Sequence, residues 1–311
     1  MKKGLKILGI TIGVLVLIIA SGAASIYFNN KSSLKKEAKL IEPYGKMIKV
    51  DGGGMNVTVT GSGKKNIVLL PGFMTGAPKL DFTQLTKELE KQYTVIVVEP
   101  LGYGMSDDTN KPRTVENLNK ELHEALQAIN VTKYSLMAHS ISGIYSLNYI
   151  NKYPNEVTSF IGIDSSLPSQ GGADENQEDS IRLLSKSGLF RVLGKTDESL
   201  YNMPDLSSKQ KDQFKYVYLR SLGSDAMTNE GKEMSNNFKK TLNLTYPKNL
   251  PIMYFLATES TQPDPNWEII HKEMIKDNPK GKIKILEGSH YLHHTQSKKI
   301  SSDVDVFLKN S

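Results

Sequence analysis

The chain has 311 residues, with 39 Lys plus Arg against 33 Asp plus Glu and a formal net charge of +6. Residues 1–39 hold seven lysines against the single acid Glu37, so the whole excess lies there and the rest of the chain, with 32 bases and 32 acids, is neutral. A neutral body whose only arginines are Arg113, Arg182, Arg191 and Arg220 excludes a nucleic-acid surface, the absence of Cys excludes disulfides, thiolate metal sites and Cys nucleophiles, and 38% apolar with 23% charged residues excludes disorder.

In chain order, Lys2, Lys3 and Lys6 form a basic flank over residues 1–6. An apolar run of 22 residues follows, from Ile7 to Phe28, broken only by small or weakly polar residues. As a helix it would extend roughly 33 Å, enough to cross the hydrocarbon core of a bilayer. A cleaved signal peptide is the alternative, but its apolar region would end sooner than one that continues through Ile26, Tyr27 and Phe28; a buried core helix is a third reading. The leading lysines favour an inside N-terminus and an extracytoplasmic body, although Lys31, Lys35, Lys36 and Lys39 beyond the run weaken the asymmetry. Residues 29–43 read as a polar tether or a short helix.

The body opens with two short extended segments, Met47–Val50 and Met55–Thr60, around a glycine turn. The run Asn66–Leu70 then predicts a buried strand, ending at Pro71-Gly72. Asp81–Gln92 predicts a helix, Thr94–Val98 a strand and Thr114–Ile129 a helix with apolar positions at Leu118, Leu122, Leu126 and Ile129. Tyr134–Ala138 is a strand, Ser142–Lys152 a helix, and Ser159–Ile163 and Ile252–Leu256 strands. A helix at Asn266–Lys276, a strand at Lys282–Leu286 and a helix at Lys298–Leu308 close the pattern. Strands that are apolar without alternation, separated by helices, imply a mostly parallel sheet covered on both faces. The interval between Ile163 and Ile252 is too long for a structureless loop and reads as a mostly helical insertion over the C-terminal edge of the sheet.

Between the strand Tyr134–Ala138 and the next helix stands Ala138-His139-Ser140-Ile141-Ser142-Gly143. A nucleophile on such a turn needs small residues two places before and after it, here Ala138 and Ser142, and the helix N-terminus beyond favours developing negative charge. With Leu69-Leu70-Pro71-Gly72-Phe73, Glu99-Pro100-Leu101-Gly102-Tyr103-Gly104-Met105-Ser106 and Gly288-Ser289-His290-Tyr291-Leu292-His293, this turn makes nearly all of residues 44–309 resemble the α/β-hydrolase family. Pro71 stands where His is common in that family, and Glu99 where Asp is common. The resemblance implies an α/β-hydrolase core over residues 44–164 and 249–311, with a helical cap, residues 165–248, inserted before the penultimate strand. It further implies Ser140 as nucleophile, His290 as general base, and the backbone N–H groups of Phe73 and Ile141 as oxyanion donors. His139, His293 and His294 are expected to pack, and His123 and His271 to lie on helix surfaces. No carboxylate stands at metal-ligand spacing from His290, His293 or His294, so no metal and no cofactor is expected.

The acid that would orient His290 has alternatives. Ser260 occupies the family's usual acid position, Glu259 lies one residue before it and Asp264 four after. Asp164, at the end of the strand following the elbow helix, is a second site used within the family. The expected function is a membrane-tethered serine hydrolase acting on a carboxylic ester or another small-molecule or lipid-like acyl substrate; the Ser nucleophile argues against haloalkane dehalogenation. Met203, Tyr216, Tyr218 and Met227 are candidates for the acyl pocket and lid. A proline-iminopeptidase-like aminopeptidase, drawing on Asp174, Glu175, Glu178 and Asp179, and an idle hydrolase scaffold that binds at the surface are the rivals.

Overall fold

The computed structural model describes residues 2–171, 178–196, 203 and 206–310. Helix α1 (Lys2–Glu37) contains the whole apolar run, none of which is buried. It is long and apolar enough to cross a membrane by length and composition. The helix does not end at Phe28, because Asn29–Glu37 contains neither Gly nor Pro to break it.

Strands β1 (Lys46–Val50) and β2 (Gly53–Thr60) form an antiparallel hairpin. Its turn is Asp51-Gly52, where Gly52 takes φ +120°, open to glycine and costly for other residues. Six parallel strands follow: β3 (Asn66–Leu70), β4 (Thr94–Glu99), β5 (Tyr134–His139), β6 (Val157–Ile163), β7 (Ile252–Ala257) and β8 (Gly281–Leu286). The eight strands lie in the order β1-β2-β4-β3-β5-β6-β7-β8, with β2 antiparallel to β4. This is a mostly parallel sheet, as the unalternated apolar runs require.

The side-chain period of two splits each strand between two cores. Val68, Leu70, Ile96, Val98, Leu136 and Ala138 face one layer, with helices α4 (Val115–Ala128) and α5 (Ser142–Lys152). Ile67, Leu69, Val95, Val97, Met137 and Ile161 face the other, with α3 (Thr83–Leu89) and α13 (Ser297–Lys309). Ile67, Val68 and Leu69 are 0% exposed, and full burial of each such side chain contributes about 1.5–3 kcal/mol. The helix expected over Asp81–Gln92 is instead α2 (Pro78–Asp81) followed by α3, divided at Phe82, whose ring is buried in the second core.

Between β6 and β7 the chain forms α6 (Glu178–Ser187), α7 (Leu189–Thr196), α8 (Ser208–Ser221) and α9 (Asp225–Thr241). Ser207 and Gln210 close a capping box on α8, and Ser224 caps α9. The Asp108 carboxylate also accepts the Asp225 and Ala226 N–H groups, each at 2.9 Å, at the positive end of α9. Phe214 and Val217 of α8, with Met203 and Leu206, pack on Ala77 and Leu80 at α2. Four further helices complete the chain: α10 (Thr258–Thr261), α11 (Asn266–Ile275), α12 (Leu292–Thr295) and α13. The four-residue helices α10 and α12 carry no clear periodic signal in the sequence.

Candidate active site

Ser140 stands between the end of β5 and the start of α5 with φ +54°. A non-glycine residue in the left-handed region costs of order 1–3 kcal/mol and persists where its surroundings over-determine it. Its N–H donates to the Ile163 carbonyl at 3.3 Å, and its carbonyl accepts from Gly143 N–H at 2.9 Å and Ser166 N–H at 2.8 Å. Ala138 and Ser142, the small flanking residues, are both buried. Gly143 is the tighter position: a Cβ there would lie 2.5 Å from the Ser166 carbonyl oxygen. The Ser142 hydroxyl donates to the Pro71 carbonyl and so fastens the loop after β3 to the head of α5.

That loop carries Phe73. Among the described residues, the N–H groups of Phe73 and Ile141 donate to no acceptor. Gly72 lies against the elbow, where a Cβ would come within 2.7 Å of His139 Nδ1 and 3.1 Å of Ser140 Cβ. Phe73 packs with Ile141, Tyr145 and Met234.

Asp164 follows β6 and, like Ser140, has a positive φ of +42°. Its side chain is fully buried. One oxygen, Oδ2, is 2.6 Å from His290 Nδ1 and accepts the Ser260 hydroxyl at 2.5 Å; the other, Oδ1, accepts the Ala257 N–H at 3.0 Å and the Trp267 indole N–H at 2.9 Å. Burial pushes the Asp164 carboxyl up, but His290, the Ala257 amide and the Ser260 hydroxyl outweigh it and hold the group below its ordinary value. Glu259 also reaches His290, through the backbone: its carboxylate accepts the His290 N–H at 2.8 Å. The imidazole therefore meets Asp164, while Glu259 holds the loop that carries it. Ser260, at the position where the family's acid is common, lends its hydroxyl to Asp164 instead. Asp264 bonds the Asn266 N–H and starts α11.

Of the other histidines, His139, His293 and His294 pack as expected, whereas His271 departs from expectation. His139 is buried, its Nε2 lies 3.1 Å from the His290 carbonyl oxygen and its ring packs on His290, Tyr291 and His293. Burial pushes its pKa well down, with His293 and His290 adding to the effect. His271 is not on a helix surface: it is 0% exposed, with Nε2 2.9 Å from the Ser165 carbonyl and Nδ1 2.6 Å from that of Trp267. His123 is half-buried, stacked on Tyr153 and paired with Glu156. Asp81, which sequence spacing does not connect to His293 or His294, stands between them, with its two oxygens 2.7 Å from His293 Nε2 and 2.8 Å from His294 Nε2. The three groups offer ligand atoms within 4.8 Å of one another. His293 Nδ1, however, is buried without a partner, whereas a metal-bound imidazole normally anchors its second nitrogen. The contacts fit a hydrogen-bonded clamp joining α12 to α2.

Glu99 explains the loop that follows β4. It is fully buried and accepts from Tyr44 OH, Asn56 Nδ2, Lys79 N–H and Met105 N–H. Burial raises its pKa against those donors. A Cβ on Gly104, which has φ +54°, would strike this carboxyl at 2.1 Å, so the glycine is required by close approach. Beside the elbow, Glu230 of α9 accepts from Tyr103 OH at 2.7 Å and Tyr145 OH at 2.9 Å. With buried Arg113 it borders a cavity of about 40 Å³ that also touches Pro71 and Ser142. Sequence reasoning missed Glu230, since nothing in the pattern of α9 distinguishes it from a solvated acid. Of the cap candidates, Met203 and Met227 are buried and Tyr218 packs on Gly76. Glu178 is buried against Gly231, and Asp179 pairs with Lys232 at 3.4 Å. Asp174 and Glu175 lie outside the described residues.

Residues 65–192 match the family model described as the alpha/beta hydrolase fold. The chain is 28% identical over 315 residues to the uncharacterized protein YbdG of Bacillus subtilis, covering 96% of this chain and 95% of that one. It is 29% identical to Lipase 1 of Psychrobacter immobilis over 184 residues, which cover 58% of this chain and 52% of the lipase. Among solved structures, epoxide hydrolase I of potato (Solanum tuberosum) superimposes with a TM-score of 0.67 at 16% identity, covering 86% of this chain and 99% of that one.

Proposed function

From the α/β-hydrolase fold, whose family model matches residues 65–192, we propose that the chain is a serine hydrolase that transfers an acyl group from a carboxylic ester through Ser140 to water. The observation that carries the reading is the 2.6 Å contact between Asp164 Oδ2 and His290 Nδ1, made between the end of β6 and the loop after β8, with Ser140 on a strained turn at the end of β5, the strand next to β6. With Asp164 ionised, Nδ1 holds the proton and Nε2 keeps its lone pair for the Ser140 hydroxyl. Ser140 Oγ attacks the acyl carbonyl and its proton passes to His290. The imidazolium is stabilised by Asp164 and then protonates the leaving alcohol. Water repeats the sequence on the acyl-enzyme and frees Ser140. The unengaged N–H groups of Phe73 and Ile141 receive the oxyanion, each contributing about 3 kcal/mol in sites of this kind. No cofactor or metal enters this reaction.

Helix α1 serves in this reading as a retained single-pass anchor with the catalytic body outside the cytoplasm. Its unburied apolar window supports the anchor, and the leading lysines support the orientation. The cap over residues 165–248 and the core on either side of it act as one catalytic unit, with a small or lipid-like acyl substrate admitted between them. Labelling by a fluorophosphonate probe tests the chemistry. Wild-type protein should be labelled and Ser140→Ala should not; a folded wild type that stays unlabelled would identify an idle scaffold and sink the proposal. Rates on short- and long-chain p-nitrophenyl esters and on aminoacyl-anilides then separate an esterase from an aminopeptidase.

A further inference from the structure

The end of α1 beyond its apolar run is docked on the cap. The buried guanidinium of Arg191, on α7, donates from Nε to Asn30 Oδ1 at 2.9 Å and from Nη1 and Nη2 to the two Glu37 oxygens at 2.5 and 2.7 Å. Asn30 Nδ2 in turn donates to the Ser185 carbonyl of α6 at 3.2 Å. Gly188, the turn between α6 and α7, has φ +87° and lies so near α1 that a Cβ would meet Asn30 Cβ at 2.5 Å and the Ile26 carbonyl oxygen at 3.1 Å. The α6–α7 turn therefore stands level with Ile26, two residues before the apolar run of α1 ends. The two helices joined by that turn expose large apolar side chains: Leu183 of α6 is 67% exposed, and Leu189 and Val192 of α7 are each 41% exposed, while Phe28 of α1 is 66% exposed. Leu189 and Val192 are three residues apart and share a face of α7. Lys186 and Lys195 of these helices are exposed, as are Lys31, Lys35 and Lys36 on the part of α1 beyond its apolar run.

We propose that the α6–α7 face of the cap rests in the interfacial layer of the same bilayer that holds α1, with Leu183, Leu189 and Val192 entering among the acyl chains and the lysines meeting anionic headgroups. The inference builds on the anchor reading of α1. Apolar side chains at the boundary with a basic rim match the composition of helices that lie in the plane of a membrane surface. The occupant is the bilayer because the patch is continuous with the one segment, among the described residues, that is long and apolar enough to cross it. The consequence for the reaction is geometric. Glu178, on α6, and Phe73, in the loop after β3, both close on Gly231 of α9, so a membrane-held α6 sits over the candidate active site, and acyl substrate dissolved in the bilayer has the shorter route to it.

The chain has no native Cys, so single-cysteine variants of the full chain can carry an environment-sensitive nitrobenzoxadiazole label without competing sites. The full chain is reconstituted in vesicles of equal parts phosphatidylcholine and phosphatidylglycerol, with or without lipids bearing a nitroxide, one near the headgroup and one deep in the acyl chain, so that both the surface and the centre of the bilayer are sampled. Labels at Leu17→Cys, Leu189→Cys and Ile269→Cys report on the span, the cap face and an exposed position on α11 away from α1. The expected result is loss of emission with the nitroxide, and a blue shift on reconstitution, at positions 17 and 189 but not at 269. Quenching at 17 with none at 189 would overturn the docked cap and leave the anchor standing. Absence of quenching at 17 and 189 alike would overturn both.

Discussion

Replacing Asp164 by Asn keeps the size of the side chain and removes its charge. The buried carboxylate faces His290 Nδ1 at 2.6 Å. Two unit charges centred about 4 Å apart interact by about 4 kcal/mol at the effective dielectric of ~20 suited to protein sites, so an imidazolium forming beside a neutral amide loses about 10³-fold in rate. The amide can also turn its NH₂ toward Nδ1 and favour the wrong tautomer, which brings the expected loss toward 10⁴-fold in kcat. A further cost falls on stability. The carboxylate accepts four hydrogen bonds, from His290, Ser260, the Ala257 N–H and the Trp267 indole. An Asn nitrogen can accept none of them, which costs about 1–3 kcal/mol. Glu259→Gln is the control, because its carboxylate bonds only the His290 backbone N–H among these groups and Gln retains a carbonyl to accept it; kcat should fall less than about tenfold. Steady-state rates on a p-nitrophenyl ester and the rate of fluorophosphonate labelling are measured on variants with wild-type circular dichroism. Asp164→Asn within tenfold of wild type, with Glu259→Gln the more damaged, would refute the assignment of the acid.

Gly72→Ala places a methyl 2.7 Å from His139 Nδ1 and should displace the Phe73 loop, with a loss of about 10²-fold in kcat; unchanged kinetics in a folded variant would show that this approach does not matter. Glu230→Gln should stay within about 1 kcal/mol of wild type in urea, while Glu230→Ala, which strands the hydroxyls of Tyr103 and Tyr145, should lose about 3 kcal/mol. Burial raises the Glu230 carboxyl above its ordinary value, so its contribution is present below the unfolded value of about 4.3 and is lost as pH rises through the folded one. Glu230→Gln should accordingly gain on wild type as pH is raised, and a flat difference would refute the burial argument. For Asp81, burial raises the pKa but the two histidines outweigh it and depress the group; the destabilisation of Asp81→Asn, about 2 kcal/mol at neutral pH, should shrink below pH ~4 as wild type alone loses its ionised partner, read from urea midpoints. A chain beginning at Asn29 keeps both docking residues of α1, whereas one beginning at Leu40 lacks Asn30 and Glu37. The shorter chain should melt about 5 °C lower, corresponding to ~2 kcal/mol for the lost charge-assisted bonds; equal Tm values would show that the docking is not stabilising.

Local sequence determines much of this protein, wherever a short stretch specifies its own conformation. Runs such as Asn66–Leu70 and Thr94–Val98 have no polar alternate, so they can only be strands covered on both sides, and the parallel sheet follows. The small residues around Ser140 and the glycines at 52, 72 and 104 mark places where the backbone turns sharply or passes close to a neighbour. Charge by segment likewise separates the basic flanks of α1 from a neutral body. Long-range pairing is where sequence runs out. Asp164 and Glu259 stand equally well in the chain, and only the parallel pairing of β6 with β7 and of β7 with β8 brings the end of β6 under the loop of His290, leaving Glu259 to the backbone of that loop. The same holds for Asp81 between His293 and His294, for Glu230 between two tyrosines and for Arg191 against α1. Each is an ordinary surface residue in a helical pattern until packing buries it. Hydrophobic period reports which face of an element is buried; the partners that Asp164, Asp81 and Arg191 meet there, His290, His293 and Glu37, lie on elements distant in the chain, and that choice belongs to the tertiary structure.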